Sequence, residues 1–156
     1  MINSDFAVIV PAFNEAPVIP ELIRELREAF RRHNLEGEVV LIDDGSEDDT
    51  GEVAEQVAGG WRALRIVRHK SNLGKTEAMI TGANSTSKNY LVLFDADLQH
   101  SPDEIPRFLE KLQEGSPLSP FVSTSKPSCY SKSITASIEF QVNAHFRFTL
   151  IYQLFL

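Results

Sequence analysis

The sequence has a single cysteine, Cys129, so neither an internal disulfide nor a cysteine-based zinc cluster can form. It has no apolar run near the roughly 18 residues that a membrane-spanning helix requires. Basic residues are outnumbered by acidic ones, 15 against 22, and the net charge of −7 argues against nucleic acid as a partner. Residues 1–5 lack the basic and apolar segments of a signal peptide. Together these absences predict a cytoplasmic protein.

Short apolar runs alternate along the chain with amphipathic segments. The runs predict strands near 6–10, 39–42, 64–67 and 90–94. The amphipathic segments predict helices near 17–33, 50–58, 75–84 and 102–113. Gly37 and Gly59-Gly60 are expected to end the first two helices. This alternation predicts an α/β fold with a mostly parallel sheet, helices on both faces, and the first strand between the second and fourth.

Two carboxylates, Asp95 and Asp97, follow the fourth predicted strand directly. Residues two apart in extended chain share a side, and the carboxyl edge of an open α/β sheet is where such folds bind ligands. Hard oxygen ligands of this kind suit Mg²⁺ or Mn²⁺ carrying a diphosphate. The same acids could instead only cap the helix that begins at Ser101-Pro102, and from this stretch alone both alternatives stay open.

Further acids follow the first and second strands, whose ends lie at the same sheet edge. The acids expected to converge there are Glu15, Asp43, Asp44, Asp95 and Asp97. Because like charges repel, such a cluster requires a cation or ligand donors to neutralise it. The convergence favours a functional site over simple helix capping.

Four motifs occur at these strand ends, in the order Val10-Pro11-Ala12-Phe13-Asn14-Glu15, Ile42-Asp43-Asp44-Gly45-Ser46, Asn72-Leu73-Gly74-Lys75 and Asp95-Ala96-Asp97-Leu98-Gln99-His100-Ser101-Pro102. Together they resemble family-2 glycosyltransferases of the GT-A fold, a Rossmann-like nucleotide-diphospho-sugar transferase fold. The branch they resemble in particular is that of the dolichyl- and polyprenyl-phosphate mannosyltransferases. The resemblance covers residues 6–115.

The resemblance implies a role for each matching residue. Asp95 and Asp97 would be catalytic, with Asp97 and Gln99 as ligands of Mn²⁺ or Mg²⁺. The nucleotide sugar would contact Pro11, Phe13, Glu15, Asp43, Asp44, Asn72, Gly74, Lys75, Asp95 and Ala96. Many relatives have Tyr in place of Phe13, so stacking survives there while a hydroxyl contact is lost. Asp43 would accept a hydrogen bond from the nucleotide base. Lys75 would lie near phosphate or simply start a helix, and both interpretations stay open.

The activity that the resemblance implies is metal-dependent, inverting transfer of a sugar from GDP-mannose or a UDP-sugar to an acceptor. That acceptor would be a polyprenyl or dolichyl phosphate at the cytosolic face of a membrane. Being anionic already, it would need no general base. The alternative is a non-catalytic nucleotide-sugar-binding fragment that lacks the acceptor half. Receiver-like and Asp-x-Asp phosphohydrolase domains are disfavoured, because both need their acids after the first strand, where Phe13-Asn14-Glu15 stands.

Two parts of the chain lie outside these roles. His69 and His100 are interpreted as loop residues or supporting donors rather than catalytic bases. Residues 116–156 form an atypical Ser-rich tail whose helical and strand periodicities are both weak. We therefore expect a partial nucleotide-sugar-binding domain over residues 1–115, joined to a poorly ordered tail that does not complete an acceptor site. For the aromatic end of this tail, Phe146 to Leu156, packing on the sheet or a short helix stays open as an alternative.

Overall fold

The computed structural model describes residues 2–113, 134–143 and 146–154. Its strands are β1 Phe6–Ala12, β2 Glu38–Asp43, β3 Leu64–Arg68, β4 Tyr90–Leu93, β5 Ile134–Asn143 and β6 Phe146–Leu154. Its α-helices are α1 Ile19–Arg32, α2 Thr50–Ala58, α3 Lys75–Asn84 and α4 Ile105–Gln113. Short 3₁₀ turns precede β1 and α4, at Ile2–Ser4 and Pro102–Glu104. Within these ranges no helix is long and apolar enough to cross a bilayer.

The six strands form one sheet in the order β3-β2-β1-β4-β6-β5. Strand β1 pairs in parallel with β2 on one side and with β4 on the other, and β2 pairs in parallel with β3. The predicted central place of the first strand is therefore confirmed, as are the four predicted strands and their parallel pairing. Because parallel strands end at a common edge, the loops after β1, β2 and β4 are neighbours.

Each face of the sheet is covered by helices, as its strand sequences require. Alternate residues of β1 point to opposite faces, so one set packs with α1, α2 and α4 and the other set packs with α3. The first set contains Phe6, Val8 and Val10, and the second contains Ala7 and Ile9, all of them buried. Such two-sided burial explains why the central strands are apolar throughout.

The end of α1 agrees with the prediction of a helix near 17–33, but the residue that stops the helix is Asn34 rather than Gly37. The helix ends at Arg32, and Asn34 takes the left-handed conformation with φ 51°. Asn tolerates this conformation better than most residues, so the sequence offered a second stop signal closer to the helix. A side chain on Gly37 would place its Cβ 2.5 Å from the Phe6 ring, so this glycine makes room for the core.

Strands β5 and β6 occupy part of the tail, for which the weak periodicity predicted poor order. They pair antiparallel with each other, and β6 continues the sheet in parallel beside β4, with Tyr90 opposite Thr149 and Val92 opposite Ile151. The pairing of β6 with β4 joins residues distant in sequence, which local periodicity does not reveal. The domain boundary predicted near residue 115 falls outside the described residues.

Candidate functional site

A cavity of about 340 Å³ opens at the carboxyl edge of the sheet. Its lining comes from the loops after β1, β2, β3 and β4 and from the first turn of α3. The residues are Pro11, Ala12, Phe13, Glu15, Asp44, Asn72, Gly74, Lys75, Ala78, Asp95, Ala96 and Asp97. A cavity of this size is in the range of small-molecule sites, and its polar side chains are set in an apolar frame.

One side of the cavity, residues 11–16, 44–50 and 69–74, is termed here the hydrogen-bonded wall. Its first two loops are joined by reciprocal bonds: the Asn14 amide donates to Ser46 Oγ at 3.0 Å, and the Glu47 amide donates to Asn14 Oδ1 at 2.8 Å. The Glu15 amide donates to Oγ1 of the buried Thr50 at 2.8 Å. Because these bonds satisfy backbone groups that would otherwise lack partners, the two loops are fixed against each other.

Asp44 ties the third loop to the second from a buried position, where it is only 2 % exposed. Its Oδ1 accepts from the Leu73 amide at 3.0 Å and lies 2.7 Å from His69 Nδ1, while its Oδ2 accepts from the Gly74 amide at 2.8 Å. Burial by itself would raise the pKa of Asp44, but the Leu73 amide, His69 and the Gly74 amide outweigh it and hold that pKa below its usual value. Asp44 is therefore an anionic anchor for the loop.

Asp43 does not line the cavity, although it is adjacent to Asp44 in sequence. Its Oδ1 accepts from the Ser46 amide at 3.0 Å, and its Oδ2 lies 3.3 Å from Arg68 Nε. The same guanidinium reaches Glu52 Oε2 at 2.6 Å across the first turn of α2. Asp43 thus organises the turn after β2 and the end of β3 from behind the cavity.

The opposite side of the cavity, residues 95–99, is termed here the acidic wall. Asp97 is exposed, and its Oδ1 accepts the Gln99 amide at 3.1 Å within the same turn. Asp95 is half-buried and lies 2.6 Å from Lys75 Nζ, an ion pair that joins α3 to the acidic wall. Gln99 is exposed and does not line the cavity.

The negative charge of the acidic wall affects the pKa of Glu15 across the cavity. Burial raises the pKa of Glu15, and the negative charges of Asp97 and Asp48 raise it further. The repulsion expected from the sequence is thus present between Glu15 and Asp97. A ligand that brings positive charge between these two carboxylates would relieve it.

Phe13 places an apolar ring at the cavity mouth. It is 40 % exposed and lines the cavity, whereas the other exposed large hydrophobic residue in the described part of the chain, Leu73 at 56 %, does not. An exposed ring at the rim of a polar cavity offers a flat surface for stacking.

The donor atoms of the acidic wall suit a hard divalent cation, but they do not form a complete coordination shell. Within residues 2–113, 134–143 and 146–154, no group of three or more His, Cys, Asp or Glu side chains is placed to hold a metal ion. Asp95 and Asp97 provide two carboxylates on the cavity side. This set matches the type of site in which Mg²⁺ or Mn²⁺ is held by one or two carboxylates together with ligand phosphates.

The structure brings together all the residues proposed from the sequence except Asp43 and Gln99. It adds Ala12 and Ala78, which the sequence reasoning did not select. Ala12 belongs to the first motif, and Ala78 lies one helical turn after Gly74, so both are small residues next to predicted contacts. Their positions in or next to the motifs were the available signal, since small side chains allow close approach of a ligand.

Comparison with known proteins agrees with this arrangement. Residues 7–154 match the model of Glycosyl transferase family 2. Among curated relatives, an undecaprenyl-phosphate 4-deoxy-4-formamido-L-arabinose transferase from Klebsiella pneumoniae is 34 % identical over 111 residues. That match covers 70 % of this chain and 34 % of the relative, so the chain spans about a third of the length of the curated relatives it matches.

Solved structures show the same similarity. The mannosyltransferase PcManGT from Pyrobaculum calidifontis, in complex with GDP-Man and Mn²⁺, is 31 % identical with a TM-score of 0.58, over 65 % of this chain and 30 % of that one. Glucosyl-3-phosphoglycerate synthase from Mycobacterium tuberculosis, in complex with Mn²⁺, UDP-glucose and phosphoglyceric acid, is 25 % identical with a TM-score of 0.58, over 72 % of this chain and 40 % of that one.

These findings confirm the fold and the resemblance predicted from the four motifs. The sheet with its helices on both faces is that of the GT-A nucleotide-sugar transferases. The family match also extends past residue 115 into the part of the chain that contains β5 and β6. On this evidence, the chain belongs to glycosyl transferase family 2.

Proposed function

We propose that the cavity binds a nucleotide-diphospho-sugar and that the chain transfers the sugar to a polyprenyl phosphate. The observation that carries the proposal is the cavity itself, which is lined by the aromatic ring of Phe13, the basic side chain of Lys75 and the two carboxylates of Asp95 and Asp97. The relatives support it, since one is an undecaprenyl-phosphate sugar transferase and another was solved with GDP-Man.

The hydrogen-bonded wall would hold the nucleoside. Phe13 would stack on the base, and Glu15 would accept a hydrogen bond from the ribose, while Asp43 would support this side of the cavity from behind, through the Ser46 amide. Asn72, Gly74 and Lys75 would face the diphosphate, because they start α3, where amide groups and the helix dipole favour anions. These roles use the position of each side chain and require no rearrangement of the loops.

The acidic wall would hold a divalent cation through Asp95 and Asp97, whereas Gln99, which does not line the cavity, is not placed as a ligand. The fit rests on hard oxygen donors and on the unrelieved repulsion between Asp97 and Glu15. When bound, Mg²⁺ or Mn²⁺ neutralises charge on the diphosphate leaving group. The structures solved with Mn²⁺ support a divalent metal and leave the choice between the two ions to experiment.

The proposed reaction is a single displacement at the anomeric carbon. A phosphate oxygen of the acceptor forms a bond to that carbon while the bond from the carbon to the diphosphate breaks, which inverts the configuration. The acceptor is anionic at neutral pH, so no side chain has to remove a proton. A polyprenyl phosphate resides in a membrane, and the proposal therefore places the protein at a membrane surface, on its cytoplasmic side.

A second candidate function is binding of the nucleotide sugar without transfer. Its support is that the features described above belong to the donor cavity, which binding alone also requires. Both functions use the same cavity, so donor binding is common to them and turnover distinguishes them.

Two measurements test the proposal. Calorimetry of the full chain with GDP-mannose and UDP-glucose should show binding that strengthens on addition of Mn²⁺ or Mg²⁺, and binding of neither nucleotide sugar under any condition would overturn the donor site. Transfer to a polyprenyl phosphate should then be assayed with the full chain and with a version ending at Gly115 whose melting is checked. Transfer by the full chain supports the enzyme, and binding without transfer supports the second candidate.

A further inference from the structure

His69 links Asp44, the anchor of the hydrogen-bonded wall, to α3, the helix on the face of the sheet opposite α1, α2 and α4. Its Nδ1 lies 2.7 Å from Asp44 Oδ1, and its Nε2 lies 2.9 Å from Thr81 Oγ1 in α3. Its own amide donates to the Asp43 carbonyl at 2.9 Å. The His69 side chain is 9 % exposed, and it does not line the cavity. The imidazole is therefore fixed by contacts on both ring nitrogens, and its backbone is held as well.

The partners of the ring decide which nitrogen carries a proton. An ionised Asp44 carboxylate only accepts, so Nδ1 of His69 must be the donor to it. In the neutral ring, Nε2 is then an acceptor, and the Thr81 hydroxyl donates to it. Thr81 thus orients His69, and His69 in turn orients Asp44.

The orientation of Asp44 matters because it sets the backbone that enters α3. Its carboxylate takes the amides of Leu73 and Gly74, and Gly74 has φ 96°, a conformation that only glycine adopts readily. The cavity residues Asn72, Gly74 and Lys75 all lie in this short stretch. A rotated Asp44 would release the two amides, and these three residues would lose their common placement.

We propose that His69 is a positioning residue for the nucleotide sugar, acting through Asp44 on the loop formed by residues 72–75. The proposal rests on the proposed donor site, and it assigns His69 no contact with the ligand. It differs from a purely structural role because it predicts a local effect on two amides and on affinity, which a general loss of stability would not produce.

The variants separate the two hydrogen bonds of the ring. H69F removes both hydrogen bonds. H69N keeps an N–H donor close to the position of Nδ1, facing Asp44. T81V removes only the hydroxyl that contacts Nε2. H33F is the matched control, because His33 Nε2 lies 2.9 Å from Asp103 Oδ1, a histidine–aspartate pair of similar length outside the cavity.

The first readout is hydrogen exchange of the Leu73 and Gly74 amides in the full chain without ligand. Both amides should exchange faster in H69F, to a lesser extent in T81V, and as in the wild type in H33F. The H69N variant should restore protection. Unchanged exchange in both H69F and T81V would overturn the proposal. If H69F fails to fold, the T81V result decides alone.

The second readout is the affinity for GDP and UDP in the presence of Mn²⁺. H69F should bind the preferred nucleotide about tenfold more weakly, as expected when the hydrogen bond from His69 that orients a buried carboxylate is lost, with H69N close to wild type. Equal affinity of H69F and the wild type would overturn the positioning role. If the wild type binds neither nucleotide, the proposed donor site fails, and the amide exchange still decides whether His69 positions the loop.

Discussion

The two walls of the cavity are held in very different ways. In the hydrogen-bonded wall, backbone amides of one loop donate to side chains of the next, through Asn14, Ser46 and the buried Thr50 and Asp44. In the acidic wall, the exposed Asp97 accepts a hydrogen bond from a backbone amide of its own turn, and Asp95 forms an ion pair with Lys75 at the start of α3. The hydrogen-bonded wall is held together without a ligand, whereas the acidic wall presents the exposed carboxylate of Asp97, whose charge acts on Glu15 across the cavity.

This difference indicates a division of tasks. A wall fixed by hydrogen bonds between its loops loses little entropy when a ligand binds, which favours recognition of a rigid part such as a base and ribose. A wall of exposed carboxylates keeps its acceptor atoms available for a cation and the phosphates that accompany it. The comparison predicts that substitutions in the first wall affect stability together with binding, and that substitutions in the second affect binding alone.

The largest effect is expected at Asp97. D97A should abolish the Mn²⁺-dependent part of nucleotide binding while the melting temperature stays close to that of the wild type, because the side chain is exposed and accepts the Gln99 amide within its own turn. D103A serves as control, since Asp103 is an exposed aspartate paired with Arg32 and His33 away from the cavity. Calorimetry with and without Mn²⁺ measures the effect, and unchanged affinity of D97A in Mn²⁺ would refute the metal site.

The next largest effect is expected at Gly45, where an added side chain would clash with the neighbouring loop of the hydrogen-bonded wall. Gly45 has φ 69°, and a Cβ there would lie 2.2 Å from the backbone carbon of Ser71. G45A should lower the free energy of unfolding by about 2–4 kcal/mol, from backbone strain and displacement of the neighbouring loop.

The matched control for G45A is G60A. Gly60 has φ 74°, and a Cβ built there has no heavy atom of the described residues within 4 Å. This substitution should cost only about 1 kcal/mol of conformational strain. Urea denaturation of both variants isolates the contribution of loop contact, and equal losses would show that the two loops do not depend on their close approach.

A smaller effect is expected at Asp43, which supports the hydrogen-bonded wall from behind. D43A should weaken nucleotide binding about tenfold, both with and without Mn²⁺, because the Ser46 amide and Arg68 lose their acceptor and the adjacent turn shifts. Titrations of nucleotide in each condition measure it. An effect confined to the Mn²⁺ condition would instead assign Asp43 to the cation.

The smallest effect is expected at Glu15, the residue of the hydrogen-bonded wall that is repelled by Asp97 of the acidic wall. Its pKa is raised above the ordinary value of 4.5, so the folded protein bears a penalty for ionising it, and this penalty disappears as the pH falls through the raised pKa. E15Q removes the charge and should raise the melting temperature slightly at pH 7 without metal. The gain should vanish as the pH approaches the ordinary value, and a lower melting temperature at pH 7 would contradict the repulsion.

Much of the fold was predictable, because its signals are local. The apolar runs and amphipathic segments locate four strands and four helices, and Gly59, in the left-handed conformation, ends α2 as expected. The end of α1 was predicted within one residue, but its stop was assigned to Gly37, and only the packing of Phe6 shows what Gly37 is for. Strands β5 and β6 could not be located from the sequence, because their pairing within the sheet and not their own periodicity defines them.

The sequence by itself determined which residues meet at the carboxyl edge, because motifs that follow parallel strands must end at one edge of the sheet. It could not decide which of the adjacent acids Asp43 and Asp44 faces the cavity, since neighbouring residues at a strand end point to opposite sides. Tertiary structure decided this by pairing Asp43 with Arg68 and burying Asp44 under the Leu73 amide. It also gave His69 partners at Asp44 and Thr81, both remote in sequence, because a buried carboxylate retains its charge only when donors from several elements converge on it.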